Sequence, residues 1–114
     1  MVKLFGIKNC DKCRAAIKWL SARDIEHEFV DIRETPLSDE QLELWQDALG
    51  WEAVVNKRST TWKTLNEAEC SDLTPAKSRE LILANPTLMK RPVITVADAV
   101  YHGFSEASYS DIFN

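Results

Sequence analysis

Near its start the sequence reads Gly6-Ile7-Lys8-Asn9-Cys10-Asp11-Lys12-Cys13-Arg14, and this stretch is the strongest indication of the fold. It follows a short apolar run, residues 2–5, and precedes a segment in which apolar residues recur at helical spacing. A strand that turns directly into a helix places Cys10 at the helix N-terminus, where unpaired N–H groups and the macrodipole stabilise a thiolate. Cys13 lies one helical turn further on, within reach of the Cys10 sulfur. The stretch therefore predicts a nucleophilic thiolate with a candidate resolving thiol.

Basic side chains flank this cysteine in the sequence. Lys8, Lys12 and Arg14 add positive charge near Cys10, whereas Asp11 removes some of it. Positive charge favours the thiolate over the thiol, so we expect the pKa of Cys10 to lie below that of an ordinary cysteine. For Lys8, a simple exposed charge without contact to the sulfur is the alternative.

The cysteine pair also fits a structural role or a zinc site. The pair can be structural, since most cysteines are small buried hydrophobes. A zinc site would need two further ligands, but the chain has no second Cys-x-x-Cys and no paired histidines; besides carboxylates, the remaining candidates are Cys70, His27 and His102. We therefore expect no metal. His27 lies on a predicted strand and is expected to be structural, and Cys70 has no activating neighbourhood.

Length and composition exclude several classes of protein. A chain of 114 residues fits one domain that buries a core without disulfide bonds. The net charge of −4 argues against nucleic-acid binding through an overall basic surface. The cysteine count is odd, the N-terminus lacks the pattern of a signal peptide, and no apolar run approaches the length of a membrane span. We expect a cytoplasmic protein that contacts neither nucleic acid nor a membrane.

Periodicity along the chain predicts an α/β fold. The predicted strands cover residues 2–5, 25–31, 93–96 and 100–102. The predicted helices cover residues 11–23, 39–49, 75–84 and 107–113, and short helical pieces are expected within residues 51–69. In the helix that begins at Pro75, we expect Leu81, Ile82 and Leu83 to point inward. The order, βαβ and then ββα around a helical insertion at about 37–86, is thioredoxin-like.

Four blocks resemble the arsenate-reductase (ArsC) family over nearly the full length, in particular its small YffB-like members and, more distantly, the Spx transcriptional regulators. The blocks are Leu4–Asp11, Leu49–Trp62, Lys90–Val93 and Gly103–Ser105. The resemblance implies a single thioredoxin-like domain over residues 1–114 with a helical subdomain. It also implies a catalytic cysteine at Cys10, and an arginine before a cis proline that faces it, at Arg91 and Pro92.

The sequence departs from the arsenate-reductase pattern at the oxyanion site. Gly103 stands where the family has an arginine, Gly6 replaces a histidine, and Arg58 is offset from another of the family's arginines. An oxyanion needs several charge-assisted donors, so these departures weaken arsenate binding. YffB-like proteins share them, and the resemblance to these proteins implies glutathione-dependent thiol reduction.

The resemblance thus implies an enzyme, a thiol–disulfide oxidoreductase with glutathione as co-substrate. Cys10 would attack a disulfide, and Cys13 or glutathione would resolve the mixed disulfide. The predicted substrate-binding residues are Lys8, Asn9, Arg58, Arg91 and Pro92, and glutaredoxin is a predicted partner besides the substrate. One alternative is an Spx-like regulator that binds RNA polymerase and uses the Cys-x-x-Cys pair as a redox switch. The other is an arsenate reductase.

Simpler roles are the alternatives at several of these positions. Arg58 and Arg91 can be solvated or ion-paired surface arginines. Trp51 and Trp62 fit core residues better than a stacking platform. A fold that is catalytically idle, with a structural cysteine pair, is the third hypothesis for the whole chain.

Overall fold

A computed structural model gives the fold, and it describes residues 2–65, 71 and 73–113. Cys70 lies outside the described residues. The chain divides into two compact units. The sheet unit combines Met1–Thr35 with Arg91–Asn114, and the helical unit is Pro36–Lys90. The assignment of the whole chain to a single domain stays a prediction.

The described elements follow one another in the predicted order of strands and helices. They are β1 (Val2–Gly6), α1 (Asp11–Ala22), β2 (His27–Asp31), α2 (Asp39–Leu49), α3 (Trp51–Val54), α4 (Thr60–Thr64), α5 (Pro75–Ala84), a 3₁₀ turn (Pro86–Leu88), β3 (Val93–Val96), β4 (Ala99–His102) and α6 (Glu106–Phe113). Among the helices of these ranges, none has the length and apolar character that a membrane crossing requires.

A four-stranded sheet organises the sheet unit. Its strand order is β2-β1-β3-β4. β1 runs parallel to β2, as a βαβ unit requires, and antiparallel to β3, which forms a hairpin with β4. Leu4 at the centre of β1 lies between Phe29 on β2 and Ile94 on β3. The pairing of β1 with β3 brings the two ends of the chain into one sheet, and the fold is thioredoxin-like, as the sequence predicts.

The core of the sheet unit forms between this sheet and its helices. Leu4 and Ile94 from the sheet are buried with residues of α1 and α6, namely Ala16, Trp19, Leu20 and Tyr109. The Trp19 and Tyr109 rings meet edge to face with their centroids 5.7 Å apart. Aromatic pairs of this geometry contribute about 0.5–1.5 kcal/mol beyond the burial of their area. The core therefore joins the first helix of the chain to the last.

β2 begins two residues later than predicted. The predicted strand started at Ile25, but residues 23–25 form the turn that ends α1 instead. The Arg23 and Ile25 N–H groups both donate to the Leu20 carbonyl, and Asp24 has a φ of +55°. The carbonyls at a helix end need donors, and this turn supplies them before the chain becomes extended.

The helical unit begins its main helices where the sequence predicts. Ser38 accepts the Gln41 N–H at the start of α2, and Gly50 follows its end with a φ of +90°. Thr74 accepts the Lys77 N–H at the start of α5. Arg79 of α5 then joins the two helices, because its Nε lies 2.8 Å from the Asp39 carboxylate of α2.

One prediction about the face of α5 is wrong. Ile82 is buried and Leu81 is partly buried, but Leu83 is exposed. Successive residues of a helix point about 100° apart, so three in a row cannot share one face. Ser78 and Ile82, four residues apart, define the buried side instead. Leu44 on α2 is likewise exposed.

Candidate functional site

Cys10 ends the short loop that joins β1 to α1. It is the N-cap residue of α1, with extended backbone angles, φ −114° and ψ 121°. Its carbonyl accepts the Arg14 N–H at 3.0 Å, which is the first hydrogen bond of the helix. The partly exposed sulfur of Cys10 therefore lies at the N-terminus of α1, as the sequence predicts.

The environment of Cys10 favours its thiolate. Partial burial of the sulfur raises its pKa, but hydrogen bonds from the Cys13 N–H, the Cys13 thiol and the Arg91 side chain, with the charge of Arg91, outweigh the burial. The net effect holds the pKa of Cys10 below its ordinary value. A lower pKa increases the fraction of thiolate, the form that attacks disulfides.

Cys13 has the opposite character. Its sulfur is fully buried, and this burial raises its pKa to about 12, with the hydrogen bond to Cys10 and the charge of Cys10 acting in the same direction. The Ile7 N–H, which donates to the Cys13 sulfur, and Arg91 act against this rise. Cys13 is thus a protonated thiol near neutral pH. Its proton is available to stabilise the Cys10 thiolate.

Arg91 reaches this site from the second half of the sheet unit. The Arg91-Pro92 peptide bond is cis, as the resemblance implies, and Pro92 is buried. The Gly103 N–H donates to the Pro92 carbonyl at 2.8 Å, and the Tyr109 hydroxyl donates to the Gly103 carbonyl at 3.2 Å. Burial raises the pKa of Tyr109 above its ordinary value, so this hydroxyl keeps its proton. A chain of hydrogen bonds therefore connects Pro92 to α6.

Two of the three basic residues nearest to Cys10 in sequence have other partners. Lys8 Nζ lies 2.7 Å from the Glu34 carboxylate, and Arg14 is paired with Asp11 at 2.5 Å. The hydrogen bond to Glu34 and its charge raise the pKa of Lys8. The expected fall in the pKa of Cys10 therefore has a different origin from the one predicted, since Cys13 and Arg91 produce it.

Asp31 is a positioning residue that sequence reasoning missed. It ends β2, is 8% exposed, and accepts the Lys8 N–H at 3.3 Å and the Arg33 N–H at 2.9 Å. Both donors belong to backbone that would otherwise lack partners within the sheet. The carboxylate thus fastens residues 7–10, called here the cysteine loop, to the end of β2. An acidic residue at the end of a parallel strand next to β1 was the available signal.

The remaining predicted residues are distributed over both units. Asn9 is exposed in the cysteine loop, and Arg58 is exposed in the helical unit, where its N–H donates to the Asn56 side chain at 3.0 Å. Substrate binding by Lys8, Asn9, Arg58, Arg91 and Pro92 stays a prediction. Among the described residues, no cluster of three or more histidines, cysteines or carboxylates could hold a metal ion.

Comparisons of sequence and fold with known proteins identify the relatives of this chain. The family model named ArsC family matches residues 5–112. A protein of Haemophilus influenzae described as uncharacterised is 39% identical over 113 residues, 99% of each chain. The global transcriptional regulator Spx of Streptococcus agalactiae is 32% identical over 108 residues, which are 93% of this chain and 78% of the regulator. The solved structure of a YffB protein has 34% identity and a TM-score of 0.96, and all of both chains is covered.

Fold and cysteine loop together define a thioredoxin-fold protein with a cysteine at the start of its first helix. The matched family model covers nearly the whole length, and so does the most identical of these relatives. The chain therefore belongs to the ArsC family, which confirms the resemblance seen in the sequence. The same relationship extends to the YffB structure and to the Spx regulators.

Proposed function

We propose that the protein is a glutathione-dependent thiol–disulfide oxidoreductase with Cys10 as its nucleophile. The observation that carries the proposal is the environment of the Cys10 sulfur. It lies at the N-terminus of α1, and hydrogen bonds from Cys13 and Arg91 lower its pKa. An activated and partly exposed thiolate at this place in a thioredoxin-like fold is suited to attack disulfides.

The reaction begins on a disulfide formed between glutathione and a substrate thiol. The Cys10 thiolate attacks the glutathione sulfur, a Cys10–glutathione disulfide forms, and the substrate leaves as a thiolate that takes a proton from water. A second glutathione, as its thiolate, attacks the glutathione sulfur of this mixed disulfide. Oxidised glutathione leaves, and the Cys10 thiolate is regenerated. In sum, the sulfur of the second glutathione is oxidised to the disulfide level, the substrate sulfur is reduced to a thiol, and the sulfur of the transferred glutathione stays at the disulfide level.

Cys13 offers a second way to resolve the mixed disulfide. The hydrogen bond to Cys10 and its charge help to raise the pKa of Cys13, and both disappear once Cys10 is in a disulfide. Burial, the largest cause, remains. Deprotonated Cys13 would attack the Cys10 sulfur, release glutathione and leave a Cys10–Cys13 disulfide, which two glutathione molecules would then reduce.

Glutathione is the proposed co-substrate because the site offers a cation beside the sulfur. Arg91 is close enough to donate a hydrogen bond to Cys10, so its guanidinium is placed to pair with a carboxylate of a molecule bound there. Arsenate, a compact and highly charged oxyanion, needs more donors, and Gly103 stands where the resemblance implies an arginine. One charge-assisted hydrogen bond is worth about 1.5–3 kcal/mol, or roughly ten- to a hundredfold in affinity.

A coupled assay tests this proposal. Glutathione, glutathione reductase and its reduced nicotinamide cofactor are supplied with either a glutathionylated peptide or arsenate, and the wild type is compared with Cys10→Ser and Cys13→Ser. We expect turnover of the peptide by the wild type, none by Cys10→Ser, and weak or no turnover of arsenate. If Cys13→Ser retains activity, glutathione resolves the intermediate. Efficient arsenate turnover without activity on the peptide would contradict the assignment.

A redox-sensing transcriptional regulator is the second candidate function. The observation in its favour is the 32% identity to the regulator Spx over 108 residues. In this case the Cys10–Cys13 pair would switch binding to RNA polymerase. Purified polymerase would be captured with the reduced and the oxidised wild type, and Cys10→Ser would serve as the form that cannot oxidise. Capture that depends on the redox state only in the wild type would favour this function over the reductase.

A further inference from the structure

The buried thiol of Cys13 packs directly against the backbone of Gly6. A Cβ atom placed on Gly6 would lie 2.3 Å from Cys13 Sγ and 3.4 Å from Cys13 Cβ, with Phe29 behind at 3.7 Å. Protein interiors are close-packed, and carbon and sulfur do not approach within 3.0 Å without bonding. A side chain at position 6 and the present position of the Cys13 sulfur are therefore mutually exclusive.

The need for glycine at position 6 is steric and does not arise from the backbone. Gly6 continues β1, pairs with Asp31 and accepts the Ile32 N–H at 2.9 Å, as any strand residue can. Gly50 and Gly103 differ, because their φ angles are +90° and +79° and a Cβ on either would meet nothing within 4 Å. At those two positions the conformation favours glycine. At Gly6 the reason is the neighbouring sulfur.

The sulfur that rests on Gly6 is held by specific contacts. The Ile7 N–H donates to this sulfur, and its own proton is donated to Cys10. A methyl group at position 6 would move the sulfur by roughly an ångström to reach ordinary contact distance. A thiol is a weak donor whose hydrogen bond is sensitive to distance. The contact with Gly6 therefore determines whether the Cys13 thiol can donate a hydrogen bond to the Cys10 sulfur.

We propose that Gly6 is a positioning residue, whose missing side chain seats the Cys13 sulfur where it can donate to the Cys10 thiolate and later bond to it. With oxidised glutathione as the oxidant, Cys10 first takes up one glutathione and releases the other as a thiolate. Cys13 then gives up its proton, attacks the Cys10 sulfur and releases the second glutathione. The inference rests on the proposed thiolate chemistry of Cys10, but it concerns the placement of Cys13 and needs no turnover to be tested.

A double-mutant cycle isolates the contact between these two residues. Gly6→Ala is made in the wild type and in Cys13→Ala, in which the nearest partner of the new methyl group is the residue-13 Cβ at 3.4 Å, an ordinary contact. The pKa of Cys10 is measured from its rate of alkylation by iodoacetamide against pH, with mass spectrometry of the Cys10 peptide. In the wild type, Gly6→Ala should raise this pKa by about one unit. In Cys13→Ala it should change little. Equal shifts in both backgrounds, or none in either, would overturn the proposal.

Disulfide formation gives a second readout that does not depend on the pKa alone. The rate of formation of the Cys10–Cys13 disulfide with oxidised glutathione, followed by mass, should fall by about ten- to a hundredfold in Gly6→Ala. Gly50→Ala is the matched control, because it strains a positive φ without bringing a methyl group near any atom. It should leave the rate unchanged, whereas an unchanged rate in Gly6→Ala would contradict the proposal.

If Gly6→Ala does not fold, the folding of the double variant tests the proposal instead. Folding recovered in Gly6→Ala/Cys13→Ala then shows that the clash is with the sulfur, and failure of both variants to fold overturns the proposal. The proposed function fails separately, by absence of turnover in the wild type, since alkylation and disulfide formation are measured without a reductase substrate.

Discussion

Two segments of the sheet unit serve the Cys10 sulfur in different ways. In the segment from Gly6 to Arg14, Cys10 is the N-cap residue of α1, and the N–H and thiol of Cys13 donate to its sulfur from the first turn of the same helix. The segment from Arg91 to Gly103 contributes the long Arg91 side chain, which the pairing of β3 with β1 brings to the site. The donors of the first segment are therefore placed by local helix geometry, and the donor of the second segment is placed by strand pairing in the sheet.

The two segments differ in the kind of donor that acts on the thiolate. Backbone donors of a helix N-terminus have fixed directions, so they act wherever the helix starts. Long charged side chains instead turn to the nearest opposite charge, as Lys8 does to Glu34 and Arg14 to Asp11. Closeness in sequence therefore says little about which cation meets the sulfur.

Of four changes that test this contrast, removal of Arg91 should have the largest effect, and it acts on the pKa of Cys10. Arg91→Ala removes a charged hydrogen bond worth about 1.5–3 kcal/mol, so the pKa of Cys10 should rise by about 1–2 units. Arg91→Gln, which keeps a donor without the charge, should give an intermediate rise. The pH dependence of Cys10 alkylation measures both. The matched controls Lys8→Ala and Arg14→Ala should shift the pKa by less than about half a unit. Shifts as large as that of Arg91→Ala would remove the contrast between the two segments.

Loss of the Asp31 carboxylate should loosen the cysteine loop. Asp31→Ala leaves the Lys8 and Arg33 N–H groups without their acceptor, which should lower the free energy of unfolding by about 1–3 kcal/mol. Asp31→Asn should lose less, because its amide oxygen can still accept one of these N–H groups. Urea unfolding measures the change. Glu28→Ala, an exposed change on the same strand, should stay within about 0.5 kcal/mol, and an equal loss there would point to a general effect on β2.

The buried thiol of Cys13 should make stability depend on pH in one direction. A pKa raised on folding stabilises the protein below the unfolded value and loses that contribution as pH rises toward the folded value, here about 12. In Cys10→Ser, where the burial of Cys13 remains, the free energy of unfolding should fall by about 1–2 kcal/mol between roughly pH 8 and pH 10. In Cys10→Ser/Cys13→Ala this part of the fall should be missing. Identical pH profiles of the two variants would show that Cys13 does not titrate as proposed.

The hydrogen bond of Tyr109 should have the smallest effect of the four. Tyr109→Phe keeps the ring that packs on Phe104 at 4.8 Å but removes the donor to the Gly103 carbonyl, so stability should fall by about 1 kcal/mol. Tyr101→Phe removes a hydroxyl from an exposed tyrosine and should be neutral. Thermal unfolding of the two variants provides the comparison. A neutral Tyr109→Phe would mean that the turn at Gly103 is held by its bond to Pro92 alone.

Local patterns in the sequence predicted most of the elements and the place of Cys10 at the start of a helix. Alternation and helical spacing are local patterns, and so are caps, which is why the starts of α1, α2 and α5 were correct at Cys10, Ser38 and Thr74. The same patterns gave wrong predictions where a boundary or a buried position depended on the packing of adjacent structure. The start of β2 was displaced by the turn that ends α1, and Leu83 points outward because a helix has one buried face.

No local pattern in the sequence predicts which cation meets the sulfur; tertiary structure brings Arg91 there, as the resemblance implies. The sheet order places β3 beside β1 and so brings Arg91 to Cys10, whereas the bond to Glu34 draws Lys8 elsewhere. It also places the Cys13 sulfur on Gly6, a contact that no spacing in the chain reveals. Local spacing sets which side chains share a face, while strand pairing and close packing set what that face touches.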